Sequence, residues 1–332
     1  MNKRTAWKPL TAAFALGWCL LFLHCETTEK SMIRAVYLSQ RGENITAVFW
    51  YQAPEASADA SEASAALQMT GAESNTLEKA LFAAQERLPQ TADYRLCDYL
   101  LIPENTPDAL LSSYEQLLQE RQCGRVAARV VCADFNEEEL FARIEKDDGF
   151  SDKMIGKLKQ KSSQMPRLYQ REEGMLLPRL VLRETGAEFM SSTLLRTQEL
   201  RFFLDRETTE MCLLLQNSPG MRTFWLDGKP VRIRRCSVSV AISEEEVLVR
   251  LDCQQMAGES TPTETQRKQL EQLGEQTVEQ LWKNGVDWLN LRQRRALQGK
   301  MSGQMDPTKK RPSEISDRRK VFVDMISLQW GK

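Results

Sequence analysis

The strongest constraint on the fold is an alternating apolar pattern over residues 230–254. Glu244 and Glu245 interrupt the pattern at its centre, which is typical of a two-residue turn between paired strands. Folding the chain about this turn brings apolar side chains opposite one another: Ile242 with Val247, Val240 with Val249, and Val238 with Leu251. A slip of one residue would turn all of them to the other face, so the pattern predicts both the hairpin and its register.

The same register places Cys236 opposite Cys253 on the apolar face of the hairpin. The other face carries polar side chains, namely Ser237, Ser239, Arg250 and Asp252. An exported location would permit a disulfide between the two cysteines. Two packed thiols explain the pattern as well, and directly opposed strand cysteines give strained bonds. The sequence therefore predicts the pairing and leaves a possible Cys236–Cys253 disulfide as the less favoured of two states.

Strands that alternate with capped helices organise the first half of the chain. Apolar stripes at helical spacing occur over 77–88, 110–118 and 140–144, and short apolar strands are predicted over 99–102 and 126–133. A helix-start signal precedes each stripe: Asn75 with Glu78, Thr106 with Pro107, and Asn136 with Glu139. A hairpin over 33–51 precedes them, with its turn at 41–44. This alternation predicts a mixed sheet with parallel strand pairs and helices on its faces.

The remaining segments complete an α+β prediction. Residues 53–72 are rich in Ala and Ser without an apolar period, which predicts a loop. The later elements are strands over 188–197 and 221–226, a helix over 206–215, a tight turn at Asp227 and Gly228, a helix from a Thr261 cap and Pro262 to Trp282, and a strand over 321–328. We therefore expect an antiparallel sheet with one long helix in the second half.

The predicted domain organisation has four parts. Residues 1–25 form an export or lipoprotein signal, and 26–150 form an N-terminal α/β domain. Residues 151–175 are rich in Lys, Ser and Gln, which predicts a linker or a polar helix. Residues 176–332 form the C-terminal α+β region.

The N-terminal segment has the layout of an export signal. Lys3, Arg4 and Lys8 precede an apolar run over 10–23, and Cys25 follows it directly. The run has about 14 residues, fewer than the roughly 20 that a spanning helix needs. Cleavage before Cys25 would leave its thiol for lipidation at the mature N-terminus. An uncleaved segment that stays as the membrane anchor is the alternative.

Several functional classes are disfavoured by what the sequence lacks. The single histidine, His24, lies in the export segment, so the rest of the chain has no imidazole for catalysis or zinc binding. There is no GxGxxG, GxxxxGK[ST], HExxH or GxSxG motif. Balanced charge, with 45 basic and 46 acidic side chains, does not favour nucleic acid as a partner. We therefore predict no catalytic residues, no metal site and no cofactor.

Three weaker features have ordinary structural interpretations. The acidic cluster over 137–139 lies in the first turn of a predicted helix, where negative charge favours the helix dipole. Trp225, Trp282 and Trp288 are too far apart for a stacking surface, so we predict core packing for them. The basic stretch over 292–320 is predicted to be a solvated loop, with contact to anionic lipid as the alternative.

Nearly the whole chain resembles the Ger(x)C family, the lipoprotein subunits of spore nutrient germination receptors. The resemblance rests on motifs in a shared order: the export segment ending at Cys25, MIRAVYLS, NTLEKALFAAQERLPQTADYRLCDYLLI, LLSSYEQLLQERQCGRVAARVVCAD, STLLRTQELRFFLDRETTEMCLLLQNS, GVDWLNL and VFVDMISLQWG. In GVDWLNL, Asp287, Leu289 and Leu291 fit a family motif of an aspartate followed by Leu-Gly-Leu, and Asn290 replaces its glycine. Residues 299–312 depart from the family, which usually has an aromatic-rich helix there.

The resemblance implies a non-catalytic, lipid-anchored protein on the outer face of the inner spore membrane. It also implies two partner subunits, one of them multi-span and similar to amino-acid transporters, in a complex that senses nutrients and triggers germination. The alternatives from other classes are a solitary exported lipoprotein that binds a small molecule or a cell-wall fragment, and a carboxylate-based wall hydrolase.

Overall fold

The computed structural model of the protein describes residues 30–52, 67–120, 128–147, 149–242, 246–255, 262–291, 293–294 and 320–330. Its first sheet contains nine strands of these residues: β1 (Lys30–Arg41), β2 (Asn44–Gln52), β3 (Leu67–Ser74), β4 (Thr91–Asp93), β5 (Tyr99–Pro103), β6 (Arg129–Ala133), β7 (Met175–Arg183), β8 (Gly186–Arg196) and β9 (Arg201–Leu204). The strand order is β3-β2-β1-β5-β6-β7-β8-β9, with β4 beside β1. Strands β1, β5, β6 and β7 run parallel to one another, and the outer pairs are antiparallel.

Four helices cover the two faces of this sheet: α1 (Leu77–Gln85), α2 (Asp108–Glu120), α3 (Glu137–Lys146) and α4 (Phe150–Lys161). One core joins α1 and α2 to strand residues such as Val36 and Leu100. A second core joins α3 and α4 to the alternate residues, such as Tyr37 and Leu101. Strands buried on both faces read as continuous apolar runs, which is why YLLI and VVCA carry no alternation.

The C-terminal part builds a second sheet in the order β10 (Arg222–Leu226), β11 (Lys229–Ile242), β12 (Glu246–Gln255) and β13 (Lys320–Trp330). Helices α5 (Arg206–Leu215) and α6 (Glu264–Lys283) pack on one face of it, in a core that also includes Leu195 and Leu204 of the first sheet. The predicted pairing of β11 with β12 is confirmed residue by residue. The α+β fold class is confirmed, although β13 joins β12 in parallel, whereas the sequence predicted an antiparallel sheet throughout.

One predicted segment differs from the structure, and another adopts one of its two predicted forms. Residues 67–72 of the predicted loop belong to β3, which pairs with β2 along its whole length, and residues 53–66 lie outside the described residues. The apolar signal of β3 is weak, because only Gly71 and Ala72 are buried and Leu67 and Met69 are half-buried against the core beneath α3 and α4. For 151–175, the polar-helix alternative holds over α4, which buries Phe150, Met154 and Leu158.

The predicted domain boundaries stay predictions, but the first sheet continues beyond residue 150. Strand β7 pairs with β6, and β8 and β9 extend the same sheet to Leu204. Residues 176–204 therefore share a sheet with the predicted N-terminal domain. Strand pairing between residues far apart in the chain depends on tertiary packing, which local composition does not report.

The helix-start predictions hold in part. Asn136 and Glu139 form the predicted capping box at α3. At α1 the cap is Thr76, which accepts a hydrogen bond from the Lys79 backbone N–H, in place of the predicted Asn75. At α6 it is Thr263 with Gln266, and the predicted cap Thr261 lies outside the described residues. At α1 and α6 the observed cap is a threonine one or two residues from the predicted residue, and threonine and asparagine both cap helices well. Local sequence does not fix a helix end more closely than this.

Candidate functional site

The motif over 287–291 forms a compact turn after α6. The Asp287 carboxylate accepts a hydrogen bond of 2.7 Å from the Leu291 backbone N–H, and the Asp287 carbonyl accepts one of 3.1 Å from Asn290. Leu289 and Leu291 are both buried in the C-terminal core. The aspartate therefore holds the turn together, and the two leucines attach it to the core.

The turn requires a left-handed backbone conformation at Asn290. Its φ is +53°, in the left-handed region where glycine is least strained and asparagine is better tolerated than most residues. The position is the one at which the family motif has glycine. Asn290 is therefore a conformationally compatible replacement, since it adopts the backbone that a glycine would supply.

Trp288 connects this turn to the rest of the molecule. Its side chain is 6% exposed, and its indole N–H donates a hydrogen bond of 2.9 Å to the carbonyl of Cys212 in α5. A Cβ atom built on Gly174, just before β7, would lie 3.8 Å from the Trp288 ring. Trp288 therefore lies between α5 and the start of β7, where the first sheet meets the C-terminal core.

The cysteine pair has the predicted register. Cys236 lies directly opposite Cys253, and their Sγ atoms are 3.0 Å apart as two buried thiols. The contact with Cys236 and burial both raise the pKa of the Cys253 thiol. That two thiols are favoured over a possible disulfide stays a prediction.

We expect Cys236 and Cys253 to be free thiols in the purified protein. Disulfide formation proceeds through the thiolate, and the raised pKa of Cys253 keeps that form scarce. Denatured but unreduced protein should alkylate at both positions, as judged by peptide mass spectrometry. Cys97 and Cys132, which are buried singly, serve as internal controls for complete alkylation. A peptide pair joined through Cys236 and Cys253 would contradict the expectation.

The other described cysteines are also unsuited to nucleophilic chemistry. Burial raises the pKa of Cys97 and of Cys132 to about 12, and burial also raises the pKa of Cys212. A nucleophilic cysteine needs a lowered pKa and access to solvent. These thiols are therefore packing residues.

The acidic cluster at the start of α3 is engaged in structural contacts. Glu137 forms an ion pair of 3.3 Å with Arg41 and accepts hydrogen bonds of 3.4 Å from the hydroxyls of Tyr37 and Ser39. Glu138 also pairs with Arg41, and Glu139 completes the capping box. Burial and the Glu137 charge raise the pKa of the Tyr37 hydroxyl. The cluster joins α3 to β1, in agreement with its structural interpretation.

A cleft of about 600 Å³ lies between the loop after α5 and the bulge in β11. Ser218, Gly220, Arg222, Arg234, Arg235 and Asp252 are among the residues that line it. Arg222 is 1% exposed, and its guanidinium donates to the carbonyls of Ser218 and Pro219 and pairs with Glu210. Arg222 therefore fixes the loop that forms one wall of the cleft.

The tryptophan prediction is right for two residues and wrong for the third. Trp288 is buried and Trp282 packs against the same core, whereas Trp225 is 54% exposed on β10. The signal was present in the alternation of β10, because Trp225 shares its side of the strand with Thr223 and not with buried Phe224.

Other predicted site features lie partly or wholly beyond the described residues. Cys25, with the export segment, is one of them, and so is most of the basic stretch over 292–320. Among the residues that the structure describes, no helix combines the length and apolarity needed to cross a membrane. The same residues contain no group of three or more His, Cys, Asp or Glu side chains placed to hold a metal ion.

Comparisons with known proteins give little beyond this geometry. No family model matches the chain, and no curated protein matches it. A solved structure described as "Crystal Structure of the GerBC protein" is similar to it over 91% of this chain and 100% of that chain, with 12% sequence identity and a TM-score of 0.41. A likeness at this TM-score is too loose to assign a function.

Proposed function

We propose that the protein is a non-catalytic, membrane-anchored subunit of a spore germinant receptor complex. The observation that carries the proposal is the 287–291 turn, in which Asp287 caps the backbone and Asn290 adopts a left-handed φ of +53°. The sequence motif by which the chain resembles the Ger(x)C family has a physical requirement for glycine or asparagine at that position. Asn290 thus adopts a backbone conformation that a glycine at that position would also adopt readily.

The chemistry of the described side chains supports a binding or scaffolding role. The thiols of Cys97, Cys132 and Cys212 are buried with raised pKa values, and the carboxylates over 137–139 are engaged in caps and ion pairs. A nucleophile or a general acid needs a reachable group with a pKa near the working pH. These groups instead hold elements of the fold together.

Lipidation of Cys25 is the proposed means of attachment. In the spore-forming host, labelled palmitate should be incorporated into the wild type and lost in Cys25→Ala. Cys19→Ala is the matched control, because Cys19 lies in the same apolar run and should not affect labelling. Labelling that survives Cys25→Ala would remove this site and favour an uncleaved N-terminal segment as the anchor.

The complex is tested by mild crosslinking of the tagged protein in spore membranes, with identification of what co-purifies. We expect a multi-span, transporter-like protein and a further subunit. Cys25→Ala should recover less of both, because the subunit would no longer be held at the membrane. Recovery of the tagged chain alone would contradict the receptor proposal.

A second candidate is a solitary exported lipoprotein that binds a small molecule or a cell-wall fragment. The cleft of about 600 Å³ favours it, since this volume falls within the usual range of ligand pockets. Such a protein would hold its ligand when purified alone and would crosslink to no partner subunit.

A further inference from the structure

An exposed, cation-rich surface lies on the outer face of the second sheet. Helices α5 and α6 pack on the inner face, and the residues of β10 and β11 that alternate away from them point outward. We define the basic tryptophan patch as the five exposed side chains Met221, Trp225, Arg232, Arg234 and Arg235. Strand β10, which carries Trp225, is the edge of this sheet in the described residues.

Trp225 lies close to a cation of the patch. Trp225 pairs across the strands with Pro230, and the next pair on the same face is Thr223 with Arg232. The Arg232 side chain is therefore the diagonal neighbour of Trp225. Trp225 is 54% exposed and Met221 is 49% exposed, so both large side chains remain in contact with water.

Charge on this face is predominantly positive. Among the side chains whose exposure the structure describes, the exposed cations of this face are Arg232, Arg234, Arg235 and Arg250, and the exposed carboxylates are Asp252 and, in the adjoining turn, Asp227. Within the described residues, no ion pair is formed by Arg234 or Arg235. The formal charge of the whole chain is −1, so the excess of positive charge is a local property of this face.

We propose that the basic tryptophan patch rests on an anionic membrane surface and orients the protein there. Lys and Arg near an anionic leaflet are attracted to its headgroups, and a tryptophan ring is favoured at the boundary between headgroups and acyl chains. Arg234 and Arg235 also line the cleft described above, but Trp225 and Arg232 do not, so the patch as a whole matches an extended surface better than a small ligand. The inference rests on the proposed membrane anchoring, because a tethered chain keeps a weak surface contact at high effective concentration.

The test uses the full-length chain reconstituted into two kinds of vesicle. One contains phosphatidylcholine alone, and the other adds phosphatidylglycerol, each with and without brominated acyl chains that quench tryptophan fluorescence. The fluorescence quenching of Trp225 is obtained as the difference in quenching between the wild type and Trp225→Phe. We expect its quenching to be at least about twofold greater in the anionic vesicles.

Two charge-reversal variants separate the patch from general charge effects. Arg234→Glu with Arg235→Glu should reduce the quenching of Trp225 in anionic vesicles to the level found in phosphatidylcholine. Lys157→Glu with Lys159→Glu, a matched pair of exposed cations on α4, should leave the quenching unchanged. Circular dichroism of both variants checks that the fold is retained.

The outcomes distinguish the patch from the anchor. Co-flotation with phosphatidylcholine vesicles reports the N-terminal anchor, and its loss would count against the proposed attachment alone. Vesicle-bound protein whose Trp225 is not quenched in anionic vesicles would overturn the patch. Quenching that is equal in both lipids, or that survives reversal of Arg234 and Arg235, would overturn it too. Shielding of Trp225 only after a partner subunit is added would show a protein interface in its place.

Discussion

Replacing Trp288 with alanine should destabilise the protein by about 3–5 kcal/mol, because a buried indole is removed and a cavity is left. The ring is 6% exposed and lies between α5 and the residues that lead into β7. Urea denaturation followed by far-ultraviolet circular dichroism would measure the change. A parallel shift in midpoint with an unchanged slope would identify it as a change in stability.

Two variants separate the contribution of ring burial to stability from that of the hydrogen bond. Trp288→Phe keeps most of the ring but loses the N–H, and should cost about 1 kcal/mol. The Cys212 carbonyl keeps its helical partner, the Gln216 N–H, in that variant. Trp225→Ala is the control for tryptophan removal, and should cost less than about 0.5 kcal/mol because that side chain is exposed. Equal losses for Trp288→Ala and Trp225→Ala would contradict the assigned role of Trp288.

Replacing Arg196 with alanine should cost about 3 kcal/mol. This side chain on β8 is 1% exposed, and its guanidinium donates to the carbonyls of Glu104 and Thr106 at 3.4 and 2.7 Å. It also lies 3.8 Å from the carboxylate of Asp108 at the start of α2. Its loss leaves the carbonyls of the loop before α2 with fewer partners and creates a cavity. Calorimetry or denaturant titration would measure the change.

Arg201 provides a matched control for this prediction. Its guanidinium donates to the same Thr106 carbonyl at 3.0 Å, but its side chain is exposed. Arg201→Ala should therefore cost less than about 1 kcal/mol. Arg196→Lys should remain clearly destabilised, because an ammonium group cannot reproduce the forked donation of a guanidinium. Full recovery in Arg196→Lys would show that charge alone matters at this position.

Arg196 and Trp288 act at the same boundary in the fold. Arg196 ends the strand that includes Leu195, a member of the C-terminal core, and Trp288 approaches Gly174 at the start of the neighbouring strand. Strands β7 and β8 thus hold contacts with both the first sheet and the C-terminal core. This shared use of β7 and β8 is why the sequence boundary at 151–175 does not coincide with an edge of the first sheet.

Local patterns were sufficient to predict many of the elements. The β11–β12 register follows from an apolar alternation that only one pairing satisfies, and the structure has that register. Helix α5 has its predicted limits of Arg206 and Leu215, and the tight turn at Asp227 and Gly228 has positive φ at both residues. These features depend on residues near one another in the chain, so their signal is contained in the sequence itself.

The candidate site was only partly predictable. Asp287, Leu289 and Leu291 were identified from a motif, but the sequence did not show that Trp288 would bond to Cys212, which is remote in the chain. Core packing was predicted for Trp225 because the tryptophans are too far apart for a stacking surface, but β10 turns Trp225 to the exposed face of an edge strand. Exposure depends on which face of a sheet the helices cover.

The sequence by itself determined the α+β class, the β11–β12 register, the capping box at Asn136 and the pairing of Cys236 with Cys253. Only the tertiary structure decided that β7–β9 extend the first sheet, that β3 forms from the Ala- and Ser-rich segment, and that β13 joins β12 in parallel. Periodicity and capping report the environment of neighbouring residues. The order of strands in a sheet depends instead on how distant segments share a core, and no local pattern encodes that choice.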